Sequence, residues 1–239
     1  MTVVRGLAVK QVIKLNQIQK AMAKGMKASL MEAALSQVSR ELDCTELKLF
    51  CADLPQQDEH RISLNAMLMA AVARVLPKNP YLNAQLIENE IVVFDVVNLG
   101  MAVATDAGLV VTVIKDADRI SMIEISRRTA ELAVRARAGK LGLADIEGGT
   151  FTVSNLGMLG VDAGVPIPRP PESAILLFGA IRTRPVVING ELSLRDTCWA
   201  TLSYDHRFID GAKAAAFMQD LSELMNNPRE RLMHPGDEV

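Results

Sequence analysis

The stretch from residue 198 to residue 224 constrains this chain most, because two periodicities meet in it. Cys198-Trp199-Ala200-Thr201-Leu202-Ser203-Tyr204 alternates with the repeat of two expected of a half-buried strand. From Asp210-Gly211-Ala212 onward, Phe217, Leu221 and Leu224 recur at four- and three-residue spacing, the signature of one helix face. A sequence that turns from strand to helix within a few residues needs packed layers of both kinds, and so points to a mixed α+β fold.

The junction between the two periods holds His206, flanked by Asp205 and Arg207 and followed four residues later by Asp210. The other two histidines, His60 and His234, stand in polar stretches with nothing organised around them. Imidazole titrates near neutrality, and its tautomer is set by whatever the other ring nitrogen bonds, so a histidine at such a turn suits a general base. The plainer alternative is a hydrogen-bonded turn histidine, with Asp205 serving the turn and Asp210 capping the helix.

The rest of the chain alternates in the same way. Residues 8–36 are rich in helix formers, with Ile18, Met22 and Met26 at four-residue spacing, and predict one long helix or two in succession whose methionine stripe packs into the core. Residues 38–53 are ambiguous by period, and residues 56–61 read as an exposed loop. Ser63 caps a helix carrying Leu68, Val72 and Val75, which must end near Pro77 and Pro80. Valine-rich runs over 91–94, 96–105 and 109–114 predict strands, with a hairpin turn at Asp106-Ala107-Gly108. Ser121 and Glu124 have capping-box spacing before a helix with Met122, Ile125, Leu132 and Ala136 on its core face; Arg135, Arg137 and Lys140 suit its negative end. A strand then ends at Ser154-Asn155, followed by a glycine-rich loop that lacks the Gly-Lys-Ser/Thr of a phosphate-binding loop. Further strands follow over 174–181 and around the Asn189-Gly190 turn.

With 239 residues, 49% of them hydrophobic, and no break in composition, one domain is expected. The net charge of -2 and the lack of a basic stripe argue against nucleic acid, and no apolar run has membrane-spanning length. Cys44, Cys51 and Cys198 have neither zinc-site nor disulfide spacing, which fits a reducing compartment; Cys198, inside a strand pattern, reads as a small buried residue.

Several motifs, taken in order, resemble those of the dihydrolipoamide acyltransferases, the core components of 2-oxoacid dehydrogenase complexes. They are Asp43-Cys44-Thr45-Glu46-Leu47, Pro80-Tyr81-Leu82-Asn83-Ala84, Asn98-Leu99-Gly100-Met101-Ala102-Val103, Gly148 through Gly157, Pro170-Pro171-Glu172-Ser173-Ala174-Ile175-Leu176, and Asp205-His206-Arg207-Phe208-Ile209-Asp210-Gly211. The chloramphenicol acetyltransferases share the fold and a related histidine motif.

The resemblance implies an α+β, chloramphenicol acetyltransferase-like fold: a mixed sheet flanked by helices, forming homotrimers with the active site between subunits and, beyond that, cubic or dodecahedral cages. It implies transfer of an acyl group between coenzyme A and a lipoyl arm delivered by a separate domain or chain, with no metal. His206 would be the general base, Ser154 the donor to the tetrahedral oxyanion and Asp210 an orienting residue acting through charge pairing; Asn155, Asp205 and Arg207 would contact substrate. The partners implied are lipoyl domains, a 2-oxoacid decarboxylase and dihydrolipoamide dehydrogenase, and the compartment a bacterial cytoplasm rather than a mitochondrial matrix.

The helix motif Asp210-Gly211-Ala212-Lys213-Ala214-Ala215 is closer to acetyl and branched-acyl relatives than to succinyl ones, so an acetyl group of pyruvate dehydrogenase type is expected. Residues 1–239 are expected to be one acyltransferase catalytic domain without a lipoyl or subunit-binding domain, either an excised core or free-standing. The chain departs from the family at Gln19-Lys20, where many relatives carry Arg-Lys and so a charge partner for Asp210. It also departs at Glu32-Ala33-Ala34-Leu35, in place of an Ile-Pro-His segment, and at Thr112, in place of a common proline. Two other functions compete: a coenzyme A-dependent transferase acting on a small alcohol or amine, and an inactive structural core subunit.

Overall fold

The computed structural model describes residues 3–54 and 62–233. In chain order the elements are β1 (Val3–Val4), β2 (Leu7–Ala8), α1 (Gln17–Glu32), β3 (Leu35–Asp43), α2 (Thr45–Asp53), α3 (Leu64–Val75), β4 (Ala84–Ile87), β5 (Glu90–Val93), β6 (Leu99–Thr105), β7 (Gly108–Ile114), α4 (Met122–Arg137), β8 (Phe151–Asn155), β9 (Ala174–Phe178), β10 (Arg182–Ile188), β11 (Glu191–Asp205), α5 (Gly211–Asn226) and α6 (Pro228–Arg231). Short 3-10 turns join several of them, among them Pro80–Asn83 after α3.

Seven strands form the main sheet, in the order β10-β11-β9-β8-β6-β7 with β3 also on β11. Thr197 pairs with Arg182 of β10 and with Asp43 of β3, so these two strands lie on opposite edges of β11. β6, β8 and β9 run parallel, while β11 is antiparallel to β9 and β7 to β6. All five residues of β9 are buried, as expected of a strand in the middle of a covered sheet. The core lies between this sheet and α2 to α5; Phe151 and Phe217 meet there with ring centroids 5.8 Å apart.

Most expected elements are present with their expected caps. Ser63 accepts from the Ala66 amide, and the Asn189-Gly190 hairpin has φ of 53° and 85°, the left-handed pair that a two-residue turn between twisted strands requires. The ambiguous 38–53 segment divides at Cys44 into strand and helix.

Three expectations need correction, and one strand had no expectation. The helix expected over 8–36 covers only Gln17–Glu32, because Asn16 caps it in a reciprocal box with Gln19 and Leu35 already pairs with Asp205 in the sheet. Its methionine stripe is not core: Ile18 and Met22 are exposed and Met26 only half-buried, since α1 packs mainly beside β7. Ser121 accepts from the Glu124 amide, but the Glu124 carboxylate pairs with Arg127 and Arg128, which hold it down to about 2 and take it away from a return bond. β4 has no sequence signature, because Ala84-Gln85-Leu86-Ile87 is too short to establish a period. The loop expected over 56–61 lies outside the described residues.

No helix among the described residues is long and apolar enough to cross a membrane. Cys198 and Cys44 are fully buried, with the Cys44 thiol donating to Cys198 at 3.4 Å; that bond and burial push the Cys44 thiol up, which suits packing rather than nucleophilic chemistry.

Candidate active site

His206 follows the last residue of β11, and its position is fixed from three sides. Its amide donates to the Ala34 carbonyl at 2.8 Å, and the Asp205 amide before it donates to the Ser173 carbonyl at 2.9 Å. The imidazole is exposed and lies 5.7 Å from the buried Tyr204 ring, tilted by 41°. The turn is therefore braced by the end of α1 and by the approach to β9, leaving the ring free for chemistry.

The neighbouring charges are paired locally. Asp205 is buried and takes Arg207 in a fork, with the Arg207 Nε 3.0 and 2.9 Å from its two oxygens and Nη2 at 2.6 Å. Asp210 caps α5 by accepting from the Lys213 amide at 2.9 Å, and its other oxygen takes the Lys213 ammonium. Both aspartates thus do what the plainer turn-and-cap reading expects of them, Asp205 accepting from the Arg207 amide and Asp210 capping α5, and this coexists with an exposed imidazole.

Ser154 stands half-buried near the end of β8. The Asn155 side chain is engaged at both ends: its amide nitrogen donates to Asn65 Oδ1 at 2.9 Å and its oxygen accepts from the Gly157 amide at 3.0 Å. Asn155 thus ties the strand end to α3 and to the glycine loop. Similarly, Asp205 and Arg207 hold each other within the turn. The structure gives these three expected substrate contacts internal partners that position the site.

Strand register separates the two halves of the candidate site. Ser154 is level with Leu177, and Leu177 with Thr201, five residues before His206 on β11. Five strand residues span about 16 Å, and two strand spacings add about 10 Å across the sheet. Ser154 and His206 of one chain cannot reach the same carbonyl carbon. Exposed apolar side chains lie beside both halves: Met158, Leu159 and Val165 after Ser154, and Leu30 and Met31 before the segment that braces His206.

Two features of the site had weak sequence signals. Asn65 was visible only as part of a capped helix start, and Tyr81 only as part of a motif whose place beside α5 is tertiary. Two residues before Ser154 on β8, buried Thr152 donates to buried Glu172 at 2.5 Å, and Arg169 reaches the same carboxylate at 3.2 Å. Burial raises the Glu172 carboxyl against the opposing pulls of Thr152 and Arg169. With a folded value above the unfolded one, the acid form favours folding, and that contribution is lost as pH climbs from about 4.5 through the raised value. Glu172→Gln is expected to flatten this decline, so that wild-type melting temperature falls relative to the variant across that window. Parallel pH dependences in the two proteins would contradict the assignment.

Among the described residues, no cluster of three or more His, Cys, Asp or Glu side chains could hold a metal. The mixed sheet and its helices define the class of protein: the chain has the fold of the chloramphenicol acetyltransferase-like acyltransferases. A chloramphenicol acetyltransferase covers 91% of it with a TM-score of 0.57 at 13% identity, a likeness of fold alone. More particularly, the chain belongs to the 2-oxoacid dehydrogenases acyltransferase (catalytic domain) family, whose description matches residues 8–233.

A Rickettsia felis succinyltransferase component of 2-oxoglutarate dehydrogenase complex is 34% identical over 94% of this chain and 57% of its own length. The Escherichia coli K12 protein of the same description is 37% identical over 72% of this chain and 43% of its own. The chain thus spans about half the length of these curated relatives. A dihydrolipoamide acetyltransferase from Azotobacter vinelandii, studied for the catalytic roles of a serine, a histidine and an asparagine, superposes with a TM-score of 0.92 at 30% identity, covering 98% of this chain and 99% of that one. A probable dihydrolipoamide acetyltransferase from Listeria monocytogenes superposes at 0.89 with 32% identity, covering 96% and 98%.

Proposed function

We propose that this domain moves an acyl group between dihydrolipoamide and coenzyme A in a 2-oxoacid dehydrogenase complex, with His206 as general base and Ser154 as oxyanion donor. The observation that carries the reading is spacing on a shared fold. The serine, histidine and asparagine studied in the Azotobacter enzyme are separated by 52 and 4 positions, as Ser154, His206 and Asp210 are here. The third position differs in kind, an ionisable carboxylate in place of a neutral amide.

The chemistry follows from the exposed imidazole. His206 removes the proton of the coenzyme A or dihydrolipoamide thiol, and the thiolate attacks the thioester carbonyl of the other carrier. The Ser154 hydroxyl donates to the oxygen of the tetrahedral intermediate. Collapse breaks the original carbon–sulfur bond, and the departing thiolate takes the proton back from His206.

Because one chain holds its serine and histidine at separated levels of the sheet, the complete site is assembled from two copies, His206 of one facing Ser154 of the next. The exposed apolar residues beside each half supply the contact. This supports a homotrimer and, with the cubic core of a pyruvate dehydrogenase complex among its structural neighbours at a TM-score of 0.92, a cage built from trimers. Residues 1–239 act as one catalytic domain served by lipoyl domains, with a decarboxylase and dihydrolipoamide dehydrogenase as the other components. The curated relatives cited are bacterial, which supports the cytoplasm.

For the acyl group we favour acetyl. A succinyl chain ends in a carboxylate that calls for a cation, and the two cations on the His206 turn, Arg207 and Lys213, are each paired with an aspartate. The succinyltransferase relatives favour the other choice. Transfer from acetyl-, isobutyryl- and succinyl-coenzyme A to free dihydrolipoamide decides between them: preference for acetyl is expected, preference for succinyl overturns that choice, and no turnover from an assembled protein overturns the enzyme reading. Ser154→Ala is expected to lower kcat by about 100- to 1,000-fold while leaving the fold intact.

A further inference from the structure

We propose that Lys213 is the positioning cation of the His206 turn, neutralising the Asp210 carboxylate so that the attacking thiolate forms beside a balanced ion pair and not beside an unpaired negative charge. The inference rests on the reading of His206 as general base and deepens it.

Three contacts place Lys213. Its backbone amide is the donor that Asp210 caps at 2.9 Å, its ammonium pairs with the second Asp210 oxygen, and the ammonium lies 4.7 Å from the Tyr81 ring centroid. Tyr81 belongs to the 3-10 turn Pro80–Asn83, so the lysine links the start of α5 to a separate segment of the fold. The pairing pulls the Asp210 carboxyl below its ordinary value and raises Lys213. The first helix does not supply this cation from within the chain. Gln19 and Lys20 sit at the start of α1, beside the Ala107 turn that Asn16 bonds, whereas the segment after the other end of α1 braces His206.

The charges around the turn then sum in pairs. On the turn itself, Asp205 is matched by Arg207 and Asp210 by Lys213. From packed neighbours come Glu32 at the end of α1, acting on Arg207, and the phenols of Tyr204 and Tyr81. With Glu32 counted, the groups around the turn carry one negative charge in excess, and removing Lys213 makes it two where the reaction itself generates a thiolate and an oxyanion. Like charges raise the energy of both.

The test is steady-state turnover of Lys213→Ala, Lys213→Arg, Asp210→Asn and the double variant, with Asp210 carboxyl titration followed by NMR. Lys213→Ala is expected to lower kcat about fivefold, with Lys213→Arg restoring most of it. In the Asp210→Asn background the same alanine substitution should change kcat by less than about twofold, because no charge remains to neutralise. The Asp210 carboxyl should titrate at higher pH in Lys213→Ala than in wild type. A merely structural role in α5 predicts an equal loss in both backgrounds, and that result, or an unmoved Asp210 titration, overturns the proposal. If wild type transfers no acyl group, the transferase reading falls by itself, while the carboxyl titration still decides whether the pair exists.

Discussion

His206→Ala should lower acyl transfer to dihydrolipoamide by about 1,000-fold or more, within the range that loss of a general base produces. The reason is local. The thiol needs a group that takes its proton near neutral pH, and the imidazole is exposed at the end of β11 while its backbone is anchored through Ala34. Alanine keeps that backbone bond, so the melting temperature should stay near wild type, and a large stability loss would mean that the activity change reports misfolding.

The separation of Ser154 and His206 along the sheet makes a second demand on the same variant. Co-expressed His206→Ala and Ser154→Ala chains, each inactive alone, should form mixed oligomers in which some interfaces carry both intact residues. With random mixing, about a quarter of the interfaces qualify, so about a quarter of wild-type turnover should return. Recovery at the level of either parent would show that each chain holds a complete site of its own, contrary to the separation along the sheet.

Among the described glycines, Gly179 should be the one least able to accept a methyl group, as in Gly179→Ala. A Cβ at residue 179 would stand 1.8 Å from the Asp162 carbonyl oxygen, 2.6 Å from its carbon and 3.2 Å from the Trp199 oxygen. All three are backbone atoms, which no rotamer change can move aside. Two strands and a loop converge there: the Gly179 amide donates to Trp199, the Ala180 amide to Val161 and the Leu156 amide to Phe178. Gly157 completes the interlock, since its own Cβ would lie 2.3 Å from the Gly179 oxygen. The backbone must therefore separate, at a cost above about 4 kcal/mol, the range of exceptional single substitutions. Denaturant unfolding should show that loss, together with displacement of the loop after Ser154. A variant within about 1 kcal/mol of wild type would mean that the loop does not pack as described.

How much of this was legible beforehand differs from residue to residue. His206 could be found because a strand period and a helix period meet at it, and both are local properties of side-chain order. The Ser63, Ser121 and Asp210 caps were legible for the same reason, since a cap is decided within a single turn. The methionine stripe of α1 misled because periodicity says that a helix has an apolar face, not what covers it; in this chain Ile18 and Met22 remain exposed. The end of α1 was missed because Leu35 is claimed by pairing with Asp205, a residue far along the chain.

The sequence by itself determined that strands and helices alternate and where most of them begin, and it singled out His206 as a candidate, because propensity, capping and side-chain period act over a few neighbouring residues. Only the tertiary structure decided the register that sets Ser154 and His206 at different levels, the glycine interlock at Gly179, and the placing of the Lys213 ammonium against the Tyr81 ring. Each depends on the distance between segments remote in sequence, which is fixed when the sheet closes and the core excludes water.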